Sequence, residues 1–123
     1  MNNVVIVDGM RTPFGRLGGG LKVYHTSELL GLAIRGLVDK TGIEERGKVD
    51  AVFAGSAMHD AHCNNVARFA SLYAGLPYET SATFVEMQCG SGIASINHAA
   101  LSIKNGDIEV AIAGGAEGYS QRF

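Results

Sequence analysis

One of the two cysteines in the chain, Cys89, stands where a thiol could do chemistry. The stretch from Phe84 to Ile96 reads Phe-Val-Glu-Met-Gln-Cys-Gly-Ser-Gly-Ile-Ala-Ser-Ile. A short extended run, Ser81 to Val85, leads into Cys89; Gly90, Ser91 and Gly92 follow, and then an apolar pattern with helical period begins. The order is strand, tight turn, helix, with the thiol at the turn. Gly-x-Ser-x-Gly lifts a serine nucleophile above a sheet edge on such a turn. Small neighbours let the backbone bend sharply and let strand and helix pack closely. A cysteine at a helix N-terminus meets the positive end of the macrodipole and unpaired N–H groups, which favour thiolate over thiol. Gly90 and Gly92 also leave room for a substrate carbonyl to reach those N–H groups. Cys89 is therefore a candidate nucleophile. The competing reading is a small buried hydrophobe, the usual lot of a cysteine in an apolar chain.

Other constellations carry less. His59, Asp60, His62 and Cys63 follow one another closely, but no second ligand pair at a zinc-like spacing occurs anywhere in the chain, so no metal is expected. This segment reads as a polar loop lining a cleft or an interface. The glycine-rich stretch Gly9 to Gly20 lacks the Gly-x-Gly-x-x-Gly spacing of a dinucleotide site, and the next helix starts several residues later. His98 lies nine residues beyond Cys89, about 180° round a helix, and is not its local base.

The elements that must position Cys89 alternate. Val4 to Asp8 is a continuous apolar run, the pattern of a strand buried on both faces. Thr26 and Ser27 are candidate N-caps, Glu28 suits a first turn, and Leu29, Leu30, Ala33, Ile34, Leu37 and Val38 make an apolar face that stops at Gly42. Glu44 to Lys48 reads as a charged loop. Val49 to Ala54 is a second strand, Asn65 to Leu76 a helix and Ala82 to Val85 a third strand. Cys89 opens the next helix, whose Ile93, Ile96, Ala100 and Ile103 form one stripe expected to be buried. Val110 to Ala113 is a fourth strand. Strands alternating with helices imply a parallel α/β sheet with helices on both faces.

With 123 residues, 46% of them apolar and 18% charged, the chain has the composition of one globular domain. A net charge of −2 gives no footprint for nucleic acid or for an acidic membrane. No run approaches the ~20 apolar residues that cross a bilayer, and no leader pattern precedes the first apolar run. Cys63 and Cys89 have no paired spacing, and a reducing, cytoplasmic setting with free thiols is expected.

Four stretches together resemble the thiolases, the acyl-CoA C-acyltransferases. Val5-Ile6-Val7-Asp8-Gly9-Met10-Arg11-Thr12-Pro13-Phe14-Gly15 is similar to the family's opening strand and turn. Asn65-Val66-Ala67-Arg68 with Ala74-Gly75-Leu76-Pro77 is similar to its second block, and Cys89-Gly90-Ser91-Gly92 to its nucleophile motif. Ala113-Gly114-Gly115-Ala116-Glu117 is similar to the strand behind that motif. The opening and the Glu117 segment fit thiolases better than the condensing enzymes of the ketoacyl-synthase type, which share the buried-cysteine plan.

The resemblance implies a thiolase-like three-layer α/β/α fold whose first half is incomplete here, with four strands and alternating helices. It implies that residues 1–123 are the N-terminal portion of a thiolase N-terminal domain, the loop domain and the C-terminal half being absent. It implies that Cys89 takes an acyl group from a coenzyme A thioester, its own N–H serving as an oxyanion donor, in the synthesis or thiolysis of 3-ketoacyl-CoA within fatty acid metabolism. No bound cofactor is implied beyond the coenzyme A thioester substrates, and no coenzyme A-binding residue is assigned. The family's activating histidine and second cysteine would come from a companion polypeptide or from the remainder of the same protein, and the assembly would be a homodimer or homotetramer. A catalytically inert module that packs with a companion chain is the alternative. The chain departs from the family at Glu86, where an asparagine is usual, at Cys63-Asn64, where Gly-Gln is usual, and at Gly118-Tyr119, where Ser-Met is common.

Overall fold

A computed structural model describes residues 3–121. The elements in chain order are α1 (Thr26–Thr41), the single turn α2 (Ile43–Arg46), β1 (Ala51–Gly55), α3 (Val66–Tyr73), β2 (Ser81–Val85), α4 (Ser91–Lys104) and β3 (Ala111–Gly115), with a 3-10 turn at Tyr119–Gln121. The three strands form one parallel sheet in the order β2-β1-β3. Ala51 aligns with both Ser81 and Ala111, and Gly55 with both Val85 and Gly115, so all three strands end level.

Side-chain alternation divides the sheet into two faces. Val52 and Ala54 of β1 join Leu30, Ile34 and Val38 of α1 and Val66, Ala67 and Ala70 of α3 in a buried core, with Ala82, Phe84 and Ile112 packed against it. Gly55, on the opposite face, meets α4. The result is the expected layering of helix, sheet and helix.

Local chemistry sets the ends. His25 caps α1, in place of the expected Thr26 or Ser27, and the Glu28 carboxylate accepts the His25 N–H at 3.0 Å. Gly42 ends the helix with φ +63°, its N–H donating to the Val38 carbonyl. Asn65 caps α3 by accepting the Arg68 N–H at 2.9 Å, and its amide donates to the Ala82 carbonyl at 3.3 Å, which ties the helix to β2. The charged stretch after Gly42 forms α2 where a loop was expected, with acids in its first turn and Arg46 in its last.

Two expectations about burial are overturned. Val4 to Asp8 is not a strand: the described residues hold three strands, and Val5, Ile6 and Val7 are 76%, 85% and 82% exposed. A strand exists through its ladder, and neither edge of the sheet pairs with this run. Its ties run instead to α1, through an ion pair between Lys40 Nζ and Asp8 Oδ1 at 2.9 Å. The expected stripe of α4 is not its buried face either, Ala100 and Ile103 being half-buried. Ile93 and Ile96 are 68% and 41% exposed, while the buried face carries Ser91, Ser95 and Ala99 at intervals of four. The cause is distance: a Cβ on Gly55 would stand 2.5 Å from the Ser91 Cβ, so only small side chains fit between α4 and β1.

Candidate nucleophile turn

Five residues, Glu86 to Gly90, connect the end of β2 to the start of α4. Gly90 is the N-cap of α4, so Cys89 lies one residue ahead of the cap and two ahead of the first helical residue, where the sequence had it open the helix. Ser91 holds the turn from inside. Its buried Oγ accepts the Met87 N–H at 2.8 Å and donates to the Gln88 carbonyl at 2.6 Å. The Gly90 N–H donates to the Met87 carbonyl at 3.0 Å, and the Ser91 N–H to the Gln88 carbonyl at 3.2 Å. From outside, Glu86 Oε1 accepts the Gln88 N–H at 2.8 Å and the Gln88 side-chain amide at 3.0 Å.

Gln88 is held at φ +50°, the only non-glycine residue with positive φ among the described residues. Such a conformation costs about 1–3 kcal/mol and persists only where the surroundings over-determine it. Here they do: every backbone polar group of Met87 and Gln88 is engaged, and the next N–H, that of Cys89, has no acceptor among the described residues. The Gly92 N–H, in the first turn of α4, has none either. Cys89 itself is exposed and its thiol is free.

Cys89 opens onto a cleft of about 720 Å³. The segment from Met10 to Leu17, the ends of β1 and β3, and the start of α4 line it. Glu117 fixes one wall. Its Oε1 accepts the Ser56 hydroxyl at 2.9 Å and the N–H groups of Ala57 and Met58, so one carboxylate oxygen gathers the loop that leaves β1. The chain's pattern gave no warning of this role, which depends on residues 59 to 61 positions apart.

Among the described residues, no group of three or more His, Cys, Asp or Glu side chains is arranged to hold a metal ion. Ser56 and Ala57 do line the cleft. Farther along the loop, Asp60 turns inward to the start of α1. Asp60 is buried and accepts the N–H of Ser27 at 3.1 Å and of His62 at 2.8 Å, with His25 Nδ1 at 3.5 Å. Burial alone would raise its carboxyl, but the N–H groups of His62 and Ser27, with His25 beside them, hold it below the ordinary carboxylate value. His62 stacks on His25, their ring centroids 4.3 Å apart. Burial pushes the Cys63 thiol up, with the Asp60 carboxylate beside it acting in the same sense. Its Sγ lies 3.9 Å from Asp60 Oδ2. His59 packs edge-on to Phe84 and His98 is exposed on α4, and among the described residues no histidine lines the cleft around Cys89.

The sequence profile of the thiolase N-terminal domain matches residues 4–123. The chain belongs to the thiolase family. It is 40% identical over 122 residues to the beta-ketoadipyl-CoA thiolase of Acinetobacter baylyi, covering 98% of this chain and 30% of that one. It is 39% identical over 121 residues to the mitochondrial acetyl-CoA acetyltransferase of Danio rerio, covering 98% of this chain and 29% of that one. Among solved structures, the acetyl-CoA acetyltransferase of Bacillus anthracis superposes with a TM-score of 0.93 at 36% identity, covering all of this chain and 31% of that one. This thiolase chain thus spans about 30% of the length of the relatives it matches.

Proposed function

We propose that this chain carries the acyl-accepting cysteine of a thiolase-type acyltransferase. The observation behind the reading is the exposed Cys89 thiol after the strained Gln88, whose backbone groups and those of Met87 are all hydrogen-bonded, beside its own unpaired N–H and that of Gly92. In the reaction, the Cys89 thiolate attacks the carbonyl carbon of an acyl-CoA and a carbon–sulfur bond forms. The electron pair displaced onto the carbonyl oxygen is met by N–H donors, of which Cys89 supplies one. The intermediate then expels the coenzyme A thiolate, which takes up a proton, and leaves an acyl-cysteine thioester. In synthesis, acetyl-CoA deprotonated at its methyl carbon attacks this thioester and releases Cys89. In thiolysis, the Cys89 thiolate attacks the 3-keto carbonyl of a 3-ketoacyl-CoA and the C2–C3 bond breaks. Its electron pair leaves with acetyl-CoA, which takes up a proton at carbon, and the acyl group on Cys89 then passes to the thiol of free coenzyme A. Splitting the transfer through a covalent intermediate suits an accessible thiol.

The residues that move protons to and from Cys89 come, in this reading, from a companion segment, since no described histidine reaches the cleft. The beta-ketoadipyl and acetyl relatives both support coenzyme A thioesters as the substrate class. The test is exchange of labelled coenzyme A into unlabelled acetyl-CoA, which needs only the first half-reaction. It is run on the protein isolated from its own cells, so that any companion polypeptide accompanies it. Exchange is expected in the wild type and in Cys63→Ala, and its loss by at least about a thousandfold in Cys89→Ala. Exchange that survives in Cys89→Ala would overturn the assignment. No exchange in the folded wild type would favour an inert packing module, a reading that the exposed apolar residues of α4 also suit.

A further inference from the structure

The four hydrogen-bonding backbone groups of Met87 and Gln88 have different guarantors. Three are answered from inside: the Met87 N–H by the Ser91 hydroxyl, the Met87 carbonyl by the Gly90 N–H, and the Gln88 carbonyl by Ser91. These come from the buried root of α4. The fourth, the Gln88 N–H, is answered only by Glu86 Oε1, on an exposed side chain two residues upstream. The same oxygen draws back the Gln88 side-chain amide at 3.0 Å. One carboxylate therefore grips Gln88 at two points. Gln88, at φ +50°, sets the direction in which the chain presents Cys89.

We infer that Glu86 is a positioning residue for Cys89, acting by holding Gln88 in its left-handed conformation through charge-assisted hydrogen bonds. An ionised acceptor makes such bonds shorter and stronger than a neutral one. Without it the Gln88 N–H has no acceptor among the described residues, and the residue is free to relax towards negative φ, where a non-glycine backbone is at ease. That relaxation would swing Cys89 and its unpaired N–H together. Displacements on that scale cost rate because the thiol and the oxyanion donor must meet one carbonyl at the same time. The contact is local, and it leaves the core untouched.

The inference rests on the acyl-transfer reading for its kinetic consequence, and two readouts separate the two ideas. The first is the coenzyme A exchange rate in wild type, Glu86→Ala and Glu86→Gln, with kcat and KM resolved. Glu86→Ala is expected to lower kcat by about tenfold with KM within about twofold, and Glu86→Gln, which keeps an acceptor oxygen, to recover to within about threefold of wild type. A loss confined to KM, a glutamine variant as impaired as the alanine variant, or an alanine variant equal to wild type would overturn it. The second readout is amide hydrogen exchange at Gln88, which needs no turnover and decides the matter if the wild type shows no acyl transfer. Gln88 is expected to exchange about tenfold faster or more in Glu86→Ala than in wild type or Glu86→Gln, while the Ser95 amide of α4 stays unchanged. Equal Gln88 rates in all three proteins would end the proposal.

Discussion

Cys89 is exposed on its turn, whereas Cys63 is half-buried with its thiol against the Asp60 carboxylate. The two share a functional group, and their surroundings assign them different chemistry: burial and a neighbouring anion keep Cys63 a thiol. Carboxylates show the same dependence on surroundings. Asp50 Oδ2 accepts the N–H groups of Val110 at 3.0 Å and Glu109 at 2.9 Å, which hold its carboxyl below the ordinary value, and they pin the chain entering β3. Asp60 is held down in the same direction by the N–H groups that outweigh its burial. A carboxyl depressed in the folded state contributes stability above its unfolded pKa, and that contribution is lost as the pH falls through the folded value. The urea midpoint is therefore expected to drop between about pH 5 and pH 3. Asp50→Asn, which keeps an acceptor oxygen without the titration, should show a smaller drop. An acid arm identical in the two proteins would contradict the role given to Asp50.

At the scale of elements, the nucleophile turn depends on how closely α4 approaches β1. Gly55 faces Ser91, whose hydroxyl organises the turn, and a Cβ at Gly55 would lie 2.5 Å from the Ser91 Cβ and 2.7 Å from its carbonyl. Gly55→Ala must push α4 off the sheet. Its expected cost is roughly 1–3 kcal/mol, the usual range for overpacking, measured as a shift in urea midpoint together with faster amide exchange at Met87. A stability unchanged within about 0.5 kcal/mol would show that the contact has slack.

Much of this level was legible in the chain. The apolar face from Leu29 to Val38, the stop at Gly42 and the small residues around Cys89 declared α1 and the strand-turn-helix, because caps and turns are local chemistry. What failed depended on neighbours. Val4 to Asp8 has the composition of a buried strand but no ladder partner among the described residues, and periodicity cannot report a partner. The isoleucines of α4 look like its inner face, yet the close approach at Gly55 turns Ser91, Ser95 and Ala99 inward. Gln88's left-handed backbone, Glu86's grip on it and Glu117's three donors left no pattern in the sequence, since each is a property of the folded turn.

For the whole molecule, the three-layer core is built on one central strand, and the apolar surface left over is extensive. Val5, Ile6 and Val7 are exposed in the opening segment, Ile93 and Leu101 on α4, and among the described residues neither edge strand pairs on its outer side. Exposed apolar side chains of this size suit surfaces against which another chain packs. In the functional reading, that surface belongs to the companion segment that also supplies the proton-transfer groups. The central claim is that Cys89 is nonetheless the residue that receives the acyl group. Peptide mass spectrometry of the protein isolated from its own cells, after incubation with acetyl-CoA or acetoacetyl-CoA, tests it most directly. The account expects an acetyl adduct on the peptide containing Cys89 and none on that containing Cys63, with any companion polypeptide visible in the intact spectrum. An adduct on Cys63 instead, or a folded protein that acquires none, would contradict it.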